Sequence, residues 1–259
     1  MCFNLFGPMW DDPDLARAVT HRWFPELCPV DAQVEVGFEW SPGRGDPRWL
    51  DDRTAFDAVI RVQLGDSARV IGIETKYHEY PITEPVNMRR GGVERVRTPK
   101  QRHLDVTERS QLFTDEHWLP HVWDTDVEQI WRDHLLALAC EQESAEITAV
   151  RYVLVAPAAN RAWSRLGESY AQMLGDSARR TFEFRTIDDL LDLATDLLPH
   201  ANVSRARYLE VSGTNTSEVE NILWSHHFSD VLVRRATVTS AGQRHVECWI
   251  AAGEGSPRC

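Results

Sequence analysis

The feature that most constrains the fold is a pair of neighbouring strand-like segments with charged side chains inside apolar runs. Residues 54–64 (TAFDAVIRVQL) and 69–77 (RVIGIETKY) are rich in apolar and β-branched residues, and a short Gly-Asp-Ser turn separates them. This pattern predicts a β-hairpin or an antiparallel meander. Asp57 interrupts the first run, and Glu74 and Lys76 interrupt the second. Because burying an unpaired charge is costly, these residues indicate either an ion pair or a metal site.

The spacing within the second segment predicts which side chains share a face. Alternate residues of a strand point to the same side, so Glu74, Lys76 and His78 are expected together, with Glu79 facing away. A hairpin would also bring Asp57 close to Glu74. Two carboxylates beside a lysine suit a hard cation such as Mg²⁺, which can activate a bound water and stabilise charge on a phosphate. The alternative is a cross-strand ion pair between Asp57 and Lys76, with Glu74 in solvent.

The order of predicted elements gives the fold class. Helix, three strands, helix, strand, helix, strand and helix follow one another, which predicts an α/β domain with a mixed sheet. In the tail after about residue 208, residues 218–224 are expected to be helical and residues 230–238 and 245–250 to be strands. The other predicted helices are 14–23, 126–141, 161–174 and 186–198, and the other predicted strands are 34–40, 148–156 and 181–185.

Composition excludes several classes of protein. With 42% hydrophobic and 26% charged residues, the chain of 259 residues resembles an ordinary globular protein. It has no apolar run of about 18 residues, so we expect no membrane span, and residues 1–10 do not read as a signal peptide. The five cysteines are scattered without zinc-binding spacing, which predicts reduced thiols and a cytoplasmic location.

The charge distribution leaves room for one local nucleic-acid contact. A net charge of −12 argues against a general nucleic-acid-binding surface. Residues 89–102 (RRGGVERVRTPKQR) are nevertheless basic and follow the second charged segment, so we expect them to contact phosphates. The alternative is an ordinary solvated loop. The candidate phosphate contacts are Arg89, Arg90, Arg95, Arg97, Lys100 and Arg102.

The pattern Asp57…Glu74-Thr75-Lys76 resembles the D…(D/E)xK signature of the PD-(D/E)XK superfamily of restriction-endonuclease-like nucleases. Four segments extend the likeness to a bacterial group of restriction endonucleases within that superfamily: residues 1–8 (MCFNLFGP), 38–44 (FEWSPGR), 52–57 (DRTAFD) and 72–79 (GIETKYHE). The similarity runs to about residue 209. We therefore expect a nuclease-like domain over residues 1–209 and a C-terminal extension of unknown role over residues 210–259.

The resemblance implies a restriction-endonuclease-like core, a mixed β-sheet flanked by helices. It also implies roles for individual residues. Asp57 and Glu74 would bind the metal, Thr75 would offer its backbone carbonyl to the same ion, and Lys76 would be the catalytic lysine. The chain departs from the usual pattern in two places. The first is Phe56, which stands where the superfamily usually has proline before the first aspartate, and the second concerns a glutamate on a helix before the strands.

Two further catalytic candidates follow from the resemblance. Many members carry a glutamate on a helix before the strands, and here that helix is expected to be shortened or absent. Glu39 is the best substitute, although it could also be a solvated carboxylate at a strand end. Gln129 lies on the predicted helix 126–141, where relatives often place a glutamine near the lysine or the substrate phosphate. An ordinary polar helix face is the alternative for Gln129.

The leading hypothesis is a Mg²⁺- or Mn²⁺-dependent endonuclease that acts on DNA in restriction or another bacterial defence. A homodimer is a further expectation, because many such nucleases are dimers. The first alternative is a catalytically retired nucleic-acid-binding or interaction module. The second is a metal-dependent hydrolase of another phosphate ester, which the basic segment disfavours.

Overall fold

The structure, a computed structural model, describes residues 2–77, 81, 98–197, 232–238 and 244–250. Helices precede and alternate with strands along the chain. Their bounds are α1 (Cys2–Asp11), α2 (Pro13–Trp23), β1 (Gln33–Trp40), β2 (Phe56–Leu64), β3 (Ser67–Thr75), α3 (Gln101–Arg109), α4 (Leu119–Val122), α5 (Glu128–Glu143), β4 (Ile147–Ala156), α6 (Arg161–Met173), β5 (Phe182–Thr186), α7 (Ile187–Leu197), β6 (Leu232–Val238) and β7 (Arg244–Ile250).

A mixed five-stranded sheet forms the centre of the fold, in the order β1-β2-β3-β4-β5. The first three strands are antiparallel neighbours, whereas β3, β4 and β5 run parallel. Leu64 pairs with Ser67 across the turn between β2 and β3, where Gly65 takes a φ of +59°. Glycine suits this position because a Cβ is disfavoured at positive φ. The predicted α/β fold with a mixed sheet is confirmed.

Helices cover both faces of this sheet and create two apolar layers. Val59 and Val70 pack with residues of α5 and α6, whereas Ile60 and Ile71 pack with residues of α1, α2 and α7. Successive side chains along β2 and β3 therefore enter different layers, as the pleat of a strand requires. The nearly continuous apolar run of β4 has the same cause, since a central strand covered on both faces needs no polar side.

A close packing contact fixes the chain immediately before Asp57. The ring of Phe56 lies directly over Gly72 of the neighbouring strand, and a Cβ at that glycine would overlap the ring. Trp40 and Tyr152 stack on either side of Phe56, with ring centroids 6.1 and 6.4 Å away. The glycine in an otherwise apolar strand therefore makes room for the aromatic side chain that replaces the usual proline.

Two helices precede β1, of which the second confirms the helix predicted over residues 14–23 and the first was not predicted. The first contains Pro8. Because proline usually disfavours helix interiors, a helix that contains one is difficult to predict from the sequence. The second begins at Pro13, and the Asp12 side chain caps it by accepting hydrogen bonds from the backbone N–H groups of Asp14 and Leu15, both at 3.0 Å. Neither helix contains a glutamate.

The C-terminal region contributes an antiparallel pair of strands, β6 and β7, in which Leu232 pairs with Ile250. Both strands were predicted from the sequence and are confirmed, whereas the helix predicted over residues 218–224 lies outside the described residues. Among the helices that the structure describes, none has the length and apolar character needed to cross a membrane.

Candidate active site

Glu74 and Lys76 meet at the carboxyl end of β3. The Lys76 backbone N–H donates to the Val155 carbonyl at 2.8 Å, which fixes the chain one residue beyond the strand. The Lys76 Nζ atom lies 2.6 Å from Glu74 Oε1, and the two side chains are only 9% and 8% exposed. The contact therefore pairs two opposite charges that are largely removed from water. In such surroundings the attraction between the charges offsets the cost of their desolvation only when the geometry is close.

Gln129, in the first turn of α5, closes a triangle with these two side chains. Its Nε2 atom donates to Glu74 Oε1 at 2.7 Å, and its Oε1 atom accepts from Lys76 Nζ at 3.0 Å. One amide therefore contacts the carboxylate as a donor and the ammonium as an acceptor. This arrangement holds the relative positions of the charged groups, because the amide plane fixes both hydrogen-bond directions.

Asp57 lies beside Glu74 on the adjacent strand. The pairing of β2 with β3 runs as far as Ala58 and Ile73, so Asp57 and Glu74 occupy the next positions outward. Asp57 Oδ2 accepts from the Thr75 backbone N–H at 2.8 Å and from the Thr75 hydroxyl at 2.7 Å. The carboxylate thus takes the place of a strand partner for Thr75, which holds the two strand ends together.

Asp133 is a further carboxyl group near this site, one helical turn after Gln129 on α5. It is buried, and the Tyr152 hydroxyl lies 3.4 Å from its Oδ2 atom. Burial and then the neighbouring charge of Glu74 raise the pKa of Asp133 well above its usual range, although the Lys76 ammonium partly opposes this shift. Asp133 was not predicted as a site residue, and the sequence signal that points to it is its position four residues after Gln129, on the same side of α5.

Glu39 is near Asp57 in the sheet, but its contacts lie elsewhere. Its neighbours Phe38 and Trp40 pair with Ala58 and Phe56, the residues on either side of Asp57. The Glu39 side chain is 64% exposed and forms an ion pair of 3.2 Å with Arg44. Within the described residues it makes no hydrogen bond to the Glu74–Lys76–Gln129 group.

Part of the basic segment can be placed. Lys100 contacts the backbone carbonyl and the carboxylate of Asp51. Arg102 donates to the Trp49 carbonyl at 2.7 Å and to Glu143 Oε1 at 2.6 Å. These two cations therefore brace α3 against neighbouring parts of the protein. The other four predicted phosphate contacts, Arg89, Arg90, Arg95 and Arg97, lie outside the described residues, as does His78.

The donor set at the strand ends fits a small hard cation better than a soft one. The described part of the chain contains no group of three or more Asp, Glu, His or Cys side chains that could hold a metal by themselves. Mg²⁺, however, is usually held by only one or two carboxylates and completes its shell with water. Asp57 and Glu74 supply two carboxylates, and the Thr75 carbonyl is the third oxygen donor that the resemblance implies.

Comparison with known protein families gives a match over most of the chain. A family model described as the PD-(D/E)XK nuclease superfamily matches residues 1–210 of this chain. That range contains the whole five-stranded sheet and every residue of the site described above. No curated protein sequence and no solved structure matches the chain.

Proposed function

The chain belongs to the PD-(D/E)XK nuclease superfamily, and from this premise we propose that it is a metal-dependent endonuclease that cuts DNA, with a role in restriction or another bacterial defence. Membership suggests nuclease activity, and nucleases of this superfamily typically use divalent metal ions. DNA as the substrate, Mg²⁺ or Mn²⁺ as the metal ion and a role in defence are the proposed details of this activity.

The observation that carries this proposal is the buried ion pair of Glu74 and Lys76, which half-buried Gln129 bridges and which lies beside Asp57. A buried ion pair adds little net stability to a fold, because the cost of desolvating the charges offsets much of their attraction. A protein that needed only a packed core could fill these positions with apolar side chains. The retention of two carboxylates, an ammonium and a bridging amide at one strand end therefore favours a catalytic role over a retired site.

We assign Asp57, Glu74 and the Thr75 carbonyl to the metal ion. A bound Mg²⁺ or Mn²⁺ ion would supply a water of lowered pKa and a positive charge for the attacked phosphate. Lys76 would donate hydrogen bonds from Nζ to the phosphate or to the attacking water, and so stabilise the developing negative charge. Gln129 would keep the Lys76 ammonium oriented, since its amide oxygen contacts Nζ.

The remaining assignments concern the substrate and the organisation of the chain. We propose that Glu39 supports the site from the neighbouring strand, and that the basic segment at residues 89–102 contacts the phosphate backbone. Residues 1–209 would form the nuclease domain, and residues 210–259 a C-terminal extension. A homodimer and a cytoplasmic location are also proposed, and the free thiols of Cys2, Cys28 and Cys140 are consistent with a reducing compartment.

The decisive experiment is a cleavage assay on single- and double-stranded DNA and RNA, with Mg²⁺ and with Mn²⁺. Lys76→Ala should lower the rate by about 10²–10³-fold, because it removes one electrostatic contact to the transition state. Arg180→Ala is the matched control, since it removes an exposed cation just before β5 and should leave the rate unchanged. Circular dichroism would check folding.

Three results would contradict parts of the proposal. Equal rates for the parent and Lys76→Ala would remove the catalytic centre. Cleavage of RNA without cleavage of DNA would overturn the proposed substrate. If the parent cut no substrate in any metal but still bound nucleic acid, the catalytically retired binding module would be the better description.

A further inference from the structure

Trp163, on α6, lies against the ammonium of Lys76. The Lys76 Nζ atom is 5.3 Å from the centroid of the Trp163 ring, and Trp163 is only 3% exposed. A cation within about 6 Å of an indole face is attracted to the electron-rich ring, and the attraction grows when water is excluded. Among the described residues, Trp163 is therefore a partner of Lys76 in addition to Glu74 and Gln129, and it belongs to a different element from either of them.

Contacts on both sides of Trp163 along the chain fix its position, one just before α6 and one in the middle of the helix. Asn160, just before α6, donates from Nδ2 to the carbonyl of Tyr77 at 3.1 Å, so the helix start is tied to the residue that follows Lys76. One turn after Trp163, Gly167 approaches β5 so closely that an added Cβ would lie 3.0 Å from the Phe184 ring. These contacts hold the indole at a defined distance from the end of β3.

We propose that Trp163 is a positioning residue for Lys76. The catalytic consequence rests on the function proposed above. Glu74 holds Lys76 through an ion pair and is also a proposed metal ligand, so one carboxylate has both roles. The indole face attracts the ammonium without offering an oxygen to a metal. Trp163 would thus keep Lys76 in place while Glu74 serves the metal.

The first test needs no enzymatic activity. The chain has only two lysines, Lys76 and Lys100, so protein labelled with ¹³C at lysine Cε gives two assignable NMR signals. In metal-free protein the aromatic ring current should shift the Lys76 methylene protons upfield, with Lys100 as the internal reference. Trp163→Met, which keeps an apolar side chain but removes the ring, should abolish this shift, and Trp163→Phe should retain part of it. An identical Lys76 signal in the parent and Trp163→Met would overturn the proposal.

The second test measures the catalytic consequence. Trp163→Met should lower kcat by roughly 10-fold, with KM and the metal concentration for half-maximal rate little changed, and Trp163→Phe should restore most of the rate. Trp23→Met removes a buried indole from the opposite layer and controls for lost packing. In a Lys76→Met background, Trp163→Met should have no further effect on the residual rate.

The two tests separate the failure of this proposal from the failure of the proposed function. If the protein cuts no substrate, the NMR signals still decide whether Trp163 holds Lys76. If it cuts, and both Trp163 variants lower the rate equally, or the loss persists undiminished without Lys76, the indole contributes packing alone. A matching loss of rate in Trp23→Met would lead to the same conclusion.

Discussion

The two ends of helix α5 each gather charged side chains, but with opposite balance. At the carboxyl end, Glu143 Oε1 accepts from Arg102 at 2.6 Å and from Arg109 at 2.8 Å. Two cations thus surround one carboxylate, and the hydrogen bonds from Arg109 and Arg102 hold the pKa of Glu143 below its usual range. The protein itself neutralises this cluster, which links α3 to α5.

At the amino end of α5, carboxyl groups predominate among the described residues. Asp57, Glu74, Glu128 and Asp133 lie near two cations, Lys76 and Arg132. Burial and then the Glu74 charge raise the pKa of Asp133, and both cations partly oppose this shift. Burial is the largest cause of this shift and the Glu74 charge is the second, so a further negative charge at this place is unfavourable. Within the described residues, cations therefore outnumber carboxylates at the carboxyl end of α5, and carboxyl groups outnumber cations at the amino end.

We expect the largest difference between the two ends of α5 in metal binding. Asp57→Asn and Glu74→Gln each remove a proposed ligand charge, and we expect each to weaken Mg²⁺ or Mn²⁺ binding by at least about 10-fold. Lys76→Ala should leave metal binding intact or strengthen it, because it removes a nearby positive charge. Isothermal titration calorimetry without nucleic acid would measure these affinities.

Glu143→Gln is the matched control for the metal titrations, since it removes a carboxylate that two arginines already neutralise. It should leave the metal affinity unchanged. Equal losses in Glu143→Gln and Glu74→Gln would show that net charge, rather than a defined site, attracts the ion.

The packing behind Asp57 should produce the next largest effect. Gly72→Ala places a Cβ where the Phe56 ring lies, and overpacking of this kind typically costs about 1–3 kcal/mol of stability. Gly7→Ala, in α1, is the matched control, because an added Cβ there meets no atom within 4 Å. Alanine in a helix should be neutral or stabilising by up to about 1 kcal/mol. Urea unfolding of both variants measures the difference, and similar stabilities would refute the packing argument.

The sequence predicts the parts of this fold that depend on local pattern. Alternating or continuous apolar runs locate β1 to β5, and helical periodicity locates α5 and α6, with boundaries within a few residues. The interruption of β2 and β3 by Asp57, Glu74 and Lys76 singles out the site. These signals are local because strand pleating and helical repeat act over a few residues.

Other parts depend on contacts between distant segments and could not be predicted. Gln129 was reached only through the family resemblance, since no local pattern links it to β3. Trp163 approaches Lys76 because α6 packs on the sheet. The basic run ending at Arg102 suggests a solvated or phosphate-binding segment, yet Arg102 contacts Glu143, 41 residues away in the chain. A charge pattern alone does not identify its partners.

The smallest expected effects are the pH dependences of stability, which should have opposite signs at the two ends of α5. The folded-state pKa of Asp133 is raised, so the folded protein holds this proton to higher pH than the unfolded chain, and stability falls as pH rises above about 4. Asp133→Asn cannot lose a proton, so its stability relative to the parent should improve between about pH 4 and about pH 7.

Glu143 should show the reverse behaviour. Its folded-state pKa is lowered, so its contribution to stability is present above the ordinary pKa of 4.5 and is lost as pH falls through the folded value. Glu143→Gln should therefore cost less than about 1 kcal/mol at neutral pH, because the pair is partly exposed, and nothing at strongly acidic pH. Urea unfolding across this range measures both variants, and high salt should weaken the Glu143 effect while leaving the buried Asp133 effect in place. Slopes of the same sign would show that the two ends of α5 do not differ in charge balance, and the argument for a cation at the amino end would lose its electrostatic support.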